Sequence, residues 1–164
     1  MRKVSQEELW EILEVHGRWI WSGGSRGRKA DLSWTDISYT DLHGVDLRRV
    51  NLSNTNLTGA NLSGANLTGA NLSKAPLQGA NLREADLSGA NLTGADLSDA
   101  NLTGADLTGA NLTGTNLQEA DLSEADLRKA NLKVATAKEC LIYGAKFSSP
   151  EGRARLMMLG AVEE

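Results

Sequence analysis

From Leu32 to Leu132 every fifth residue is leucine, except Ile37, so an apolar side chain recurs 21 times without a break. No regular secondary structure turns that spacing into a stripe. An α-helix rotates about 100° per residue, which leaves about 140° between successive leucines and sends them spiralling round the axis. A strand of strict period 2 would place them alternately on opposite faces. The backbone must therefore reset its phase once per five residues. Two residues before each leucine stands a small residue: Ala30, Thr35, Thr40, Val45, Val50 and Thr55, then mostly Ala from Ala60 onward. Asn or Asp lies between the two, as in Ala60-Asn61-Leu62-Ser63-Gly64 and Ala105-Asp106-Leu107-Thr108-Gly109. In extended chain the small residue and the leucine share one face, and the Asn or Asp points the other way. The last two positions hold Ser, Thr, Gly or charged residues, which is turn chemistry. Each unit thus reads as one short side and one corner. The period persists, degraded, through Ala135/Ala137, Cys140/Ile142 and Ala145/Phe147, for 24 units over residues 30–149.

The inward stack has the leucines of every unit at its centre: Leu52, Leu57, Leu62, Leu67, Leu72, Leu77, Leu82, Leu87, Leu92, Leu97, Leu102 and Leu107. Full burial of each contributes about 1.5–3 kcal/mol. No aromatic residue falls between positions 40 and 142, so the interior is narrow and regular. Two features set local expectations. The corner position is often Gly, but Lys74, Asp99, Glu119 and Lys129 also occupy it. Because such residues resist positive φ, a left-handed corner is not expected as a general rule. Pro76 takes an Asn/Asp position and has no N–H, so one bond of the ladder should be missing there.

The run of A-[DN]-L-[ST]-G units resembles the pentapeptide repeat proteins. The resemblance covers about three-quarters of the chain. It implies an all-β solenoid, a right-handed quadrilateral β-helix with four units per coil and about six coils. At the ~4.8 Å spacing of paired strands the rod is then roughly 29 Å long. A 20-residue coil would align Asn51, Asn71, Asn91, Asn111 and Asn131 in one column and Asp46, Asp86, Asp106 and Asp126 in another, with Asn66 interrupting the second. A 10-residue period accounts for the columns nearly as well.

Three segments follow: a helical cap and basic connector over 1–29, the repeats over 30–149, and a C-terminal helix within 150–164. Ser5-Gln6-Glu7-Glu8 is a capping-box start. Leu9, Ile12, Leu13, His16 and Ile20 keep helical spacing, which predicts a helix over about 5–21 ended by Gly23 and Gly24. Leu9, Trp10, Leu13, Trp19 and Trp21 are the candidate cap residues, expected beside Trp34 and Tyr39 of the first coil. Ser25 to Lys29 reads as a flexible basic connector. His16-Gly17-Arg18-Trp19 with Ser22-Gly23-Gly24 is similar to the leader of many bacterial members of the resembled family. At the other end Ser149 and Pro150 start a helix that Gly160 stops. Its Leu156, Met157, Met158 and Leu159 span about 300° of the wheel, more than one core face can use. These four are the candidate interface of a homodimer formed through the C-terminal end, and the resemblance points the same way.

No catalytic constellation stands out. His16 and His43 have no ligand-spaced neighbours, Cys140 occupies an inward position away from any histidine, and no G-x-x-x-x-G-K-[ST] loop occurs. No cofactor or metal is expected, and irregular Ser/Thr columns argue against an ice-binding face. The net charge of −4 with few clustered cations argues against a nucleic-acid groove. No apolar run reaches the ~18 residues of a membrane helix, no signal-peptide core follows Met1-Arg2-Lys3, and a single cysteine fits a reducing compartment. A cytoplasmic location is expected.

Two function classes remain: a non-enzymatic rigid scaffold binding an unknown protein partner, and a DNA mimic. The resemblance brings in the second, because some pentapeptide repeat proteins occupy bacterial type II topoisomerases and protect them from quinolones. Charge density weighs against it. Duplex DNA carries one charge per ~1.7 Å, about 17 over the rod's length. Residues 30–149 hold 14 acidic and 9 basic residues. The Phe-rich central positions and protruding loop often seen in those inhibitors are also missing.

Overall fold

The computed structural model describes residues 1–163. From Asp31 to Asp126 every outward Asn or Asp but Asn56, which faces Pro76, forms a parallel bridge with the residue twenty positions on, from Asp31↔Asn51 and Asp36↔Asn56 to Asp121↔Leu141 and Asp126↔Lys146. One circuit of the chain therefore takes twenty residues, and four five-residue units make four sides. This settles the period: Asn51, Asn71, Asn91, Asn111 and Asn131 do stack in one column, and Asp86, Asp106 and Asp126 in another.

Sides of the inner coils are tied to the coil before and the coil after. In a typical case Asn91 donates to the Ala70 carbonyl (2.9 Å), while Leu92 donates to the Asn111 carbonyl (2.8 Å). Between sides the chain turns through a bond such as Ala60 N–H to Leu57 O, 3.0 Å. The residue before the small one then takes positive φ, the requirement of a type II turn at its third residue. Contrary to the sequence expectation, every corner from Trp34 to Gly144 is left-handed, at φ between 55 and 68°. Lys74, Asp99, Glu119 and Lys129 adopt it like the glycines. The reason is energetic. A left-handed L-residue costs about 1–2 kcal/mol, and the turn bond plus the corner's own N–H to the next coil, as from Lys74 to Thr93 O at 2.9 Å, together offset it.

All twelve leucines from Leu52 to Leu107 are fully buried, with the small residues beside them. Thr35, Thr55 and Thr115 take the small position and remain buried because their hydroxyls donate to the Leu32, Leu32 and Leu92 carbonyls. Pro76 removes the ladder bond expected at its position: the Thr55 carbonyl, met elsewhere in its column by the N–H twenty-one residues on, has no backbone donor among the described residues.

Strand β1 (Arg2–Lys3) pairs in parallel with β2 (Thr35–Asp36), adding a rung before the first circuit. Helix α1 (Gln6–Trp21) follows at once, capped by Ser5, whose Oγ accepts from Glu8 N–H at 3.1 Å. The Glu8 carboxylate does not close a reciprocal capping box; it pairs with Arg2 instead. Leu9 and Leu13 are buried in the same core as Leu32 and Leu42. The connector is not loose. Ser22 Oγ bonds Arg26 O and Arg26 N–H, and Arg28 N–H reaches Val15 O. Gly27 lies so close to α1 that a Cβ there would meet Val15 O at 2.3 Å.

Helix α2 (Pro150–Met158) seals part of the far end with the buried Leu156. Ser149 occupies its N-cap without a side-chain capping bond. Gly152 packs close to the end of the rod: a Cβ there would stand 3.2 Å from the Phe147 ring. Beyond α2 the chain returns along one side. Val162 bridges Leu141, and Ala161 is buried above Cys140. No helix among the described residues is long and apolar enough to cross a membrane.

Candidate interaction faces

The outward side chains first satisfy their own backbone. In every unit from Asp31 to Asn131, the one with Pro76 excepted, the Asn or Asp Oδ1 accepts the N–H two residues on, as from Ser53 to Asn51 (3.2 Å) and Thr103 to Asn101 (2.9 Å). These Asx bonds hold the corners, as the competition between side chain and backbone allows. Amide ladders run along the columns as well: Asn71 donates to Asn51 and Asn91 to Asn71, each at 3.2 Å.

In these turns Asp31, Asp36, Asp46, Asp86, Asp96, Asp121 and Asp126 are held below the ordinary carboxylate range. At Asp46 the leading cause is the bidentate Arg48 guanidinium, and at Asp126 it is Arg128. At Asp86 and Asp121 burial is the largest single influence and pushes upward, but bonds from Ser88 with Thr68, and from Ser123 with Thr103, outweigh it. Asp86 accepts three hydrogen bonds, from Ser88 N–H, Ser88 Oγ and Thr68 Oγ1, and Asp121 accepts two, from Ser123 N–H and Thr103 Oγ1. Among the described residues no group of three or more His, Cys, Asp or Glu is placed to hold a metal ion. Cys140 is fully buried, and burial pushes its thiol up to about 12, so it is an inert core side chain.

Charge is unevenly shared among the four sides. The second carries Asp36, Asp96, Asp99, Glu119 and Glu139 against Lys138. The third, next to it, carries Asp41, Glu84, Asp121 and Glu124 against Arg83. On the fourth, Asp46, Asp86, Asp106 and Asp126 are outnumbered by Arg48, Arg49, Arg128, Lys129 and Lys146. The sequence does not show this grouping until the 20-residue circuit is known.

At the ends the candidate residues divide. Leu9 and Leu13 are buried and Trp19 is half-buried against the His16 ring, 5.7 Å between centroids. Trp10 and Trp21 do not cap the core: they are 42% and 85% exposed on the outer side of α1. Neither stacks on Trp34 or Tyr39, which are exposed at corners. Helical phase accounts for this, since Leu9, Leu13 and His16 define the inner stripe and positions 10 and 21 fall outside it. At the C-terminal end Leu156 is buried and therefore lost to any interface, whereas Met157, Met158 and Leu159 are 42%, 87% and 36% exposed.

The sequence profile of the Pentapeptide repeats family matches in overlapping segments, residues 28–64, 46–83, 60–99, 95–133 and 105–141. The chain belongs to the pentapeptide repeat family. Its members' right-handed quadrilateral β-helix is the architecture that the 20-residue bridges describe. The solved pentapeptide repeat protein Rfr23 from the cyanobacterium Cyanothece is similar, at 31% identity and TM-score 0.61, over 79% of this chain and 91% of that one. HetL, a pentapeptide repeat protein of the cyanobacterium Nostoc involved in heterocyst differentiation regulation, is 34% identical over 68% of each chain, with TM-score 0.30. QnrB1, a plasmid-mediated fluoroquinolone resistance protein, is 21% identical over 73% of this chain and 67% of that one, with TM-score 0.41. No curated protein sequence matches the chain.

Proposed function

We propose that this pentapeptide repeat protein is a non-enzymatic scaffold, a six-coil rod closed by α1 and α2 that docks a protein partner in the cytoplasm. The observation that carries the proposal is the segregation of charge onto two adjacent sides. A rod of Leu and Ala with Asx-bonded corners offers flat, pre-organised surface rather than a shaped pocket, and pre-organisation lowers the ordering cost of docking. The second and third sides together present nine carboxylates against two cations, which selects and steers a basic partner surface.

The same observation gives the topoisomerase reading what support it has, because a DNA-binding protein is such a partner. Even so, nine carboxylates along roughly 29 Å are about half the charge of duplex DNA over that length. Capture from native lysate with the intact rod, and with the Asp99, Glu119 and Glu139 column changed to Asn and Gln, tests the proposal. A specific partner lost with the column supports it, and a partner retained by the neutralised column overturns it. Inhibition of gyrase supercoiling at micromolar protein would replace the scaffold reading with the mimic. The chain is further proposed to pair with a second copy through Met157, Met158 and Leu159.

A further inference from the structure

His16 is fully buried between α1 and the first coil, and both ring nitrogens are engaged by backbone. Nδ1 lies 3.2 Å from Ala30 N, and Nε2 lies 3.1 Å from Arg48 O. A backbone N–H only donates and a carbonyl only accepts, so the tautomer is fixed: Nδ1 is bare and Nε2 carries the proton. The two groups it meets are the ones a preceding unit would satisfy. In the repeats, the N–H of each small residue bonds the leucine carbonyl of the unit before it, and the carbonyl equivalent to Arg48 O accepts a corner N–H from the coil before. The imidazole replaces both partners where no earlier unit exists.

We propose that His16 is a pH-operated latch that holds α1 on the open end of the first coil and releases it when the imidazole is protonated. A proton on Nδ1 would set two N–H groups against each other at 3.2 Å, so the ring must leave or Ala30 must turn away. Of the groups facing the ring, the Arg48 carbonyl and the Asp46 carboxylate favour a charged imidazole, Lys29 and the Arg48 guanidinium oppose it, and Asp46 is itself held by that guanidinium. The ring also stacks on Trp19. Burial, the largest influence, outweighs the favourable contacts and holds the imidazole below its ordinary range. The sign follows from linkage: a depressed folded value means the closed latch is fully stable above about pH 6.5 and loses stability as pH falls through the folded value. Opening lifts Leu9 and Leu13 from the core.

Amide hydrogen exchange read by mass spectrometry tests this on the whole protein at about pH 7.5 and about pH 5.5, corrected for intrinsic rates. One pH unit below the free imidazole value raises opening by at most about ten-fold, the limit for a ring that stays neutral while α1 is docked. Protection over 6–21 should fall, by no more than that factor, while protection at Asn91–Leu102 holds. In His16→Gln the amide offers one donor and one acceptor and does not titrate, so its protection over 6–21 should be the same at both pH values. Wild-type protection unchanged between the two pH values overturns the proposal, whether or not the variant folds. So does a His16→Gln protein that loses protection as the wild type does. An NMR titration placing His16 at or above its ordinary value in the folded protein also overturns it.

Discussion

Val134 sits at φ 56° with a β-branched side chain that is 76% exposed. Nothing there is bought by packing, and the backbone region is the one such residues avoid most. The same corner two coils earlier is Gly94, at φ 64°. Val134→Gly should therefore stabilise the protein by about 1 kcal/mol, the relief of left-handed strain less the added flexibility of the unfolded chain. A raised urea midpoint with unchanged slope checks it, and a lowered midpoint counts against strain at this corner. Residue identity was a poor guide here for a definite reason. Reading Lys74 or Glu119 as evidence against positive φ weighs one propensity alone, whereas the corner is fixed by the turn and ladder bonds around it, which belong to no single residue. The inward residues were legible, because burial at Leu and Ala positions repeats until it is unmistakable.

At the scale of one side and its corner, Pro76 shows what the Asn/Asp position does. Its neighbours in the column, Asn56 and Asp96, each donate backward to the coil before and accept the N–H two residues on. Pro76 does neither, so the Thr55 carbonyl and the Gln78 N–H both go without those partners among the described residues. Gln78 partly compensates with its side chain, which bridges Thr58 and Asp96 at 3.1 and 2.6 Å. Pro76→Asn restores two hydrogen bonds of about 0.5–1.5 kcal/mol each and gives up about 0.4–1 kcal/mol of unfolded-state restriction. The net expectation is a gain of about 1 kcal/mol. Chemical denaturation measures it, and a destabilised variant would show that the proline ring itself supports the side. Helices α1 and α2 were legible from Ser5, Gly23, Gly24 and Pro150, since caps and stops are local chemistry. Strand β1 and the returning segment at 160–162 were not. Each is two or three residues without a pattern of its own, and each acquires its pairing only from a coil edge that exists in three dimensions.

Taken as a whole, the rod is closed unequally. At the first coil, β1 supplies a rung, α1 lays Leu9 and Leu13 over the core, and His16 meets two backbone groups. At the last coil the returning chain, among the described residues, pairs only with residues 139–142, and Arg155 Nε donates to Leu132 O at 3.1 Å. The N–H groups of Leu132, Val134 and Phe147 find no backbone acceptor among the described residues. Beside this edge stand Met158, Val134, Met157 and Leu159, all exposed. An unpaired edge next to apolar surface is a template for another chain, and methionine adapts readily to a partner. The proposed pairing predicts roughly twice the 17.5 kDa chain mass in light scattering after gel filtration. Truncation at Ser149 is a blunt test, because it also removes the buried Leu156 and Ala161 and bares the core. Met158→Asp is cleaner: at 87% exposure the change should leave stability within about 0.5 kcal/mol, while a carboxylate buried in a two-fold contact would meet its own copy. The expected result is a folded monomer with an unchanged urea midpoint. A wild-type protein that stays monomeric at high micromolar concentration, or a Met158→Asp protein that remains dimeric, removes the C-terminal end as the contact.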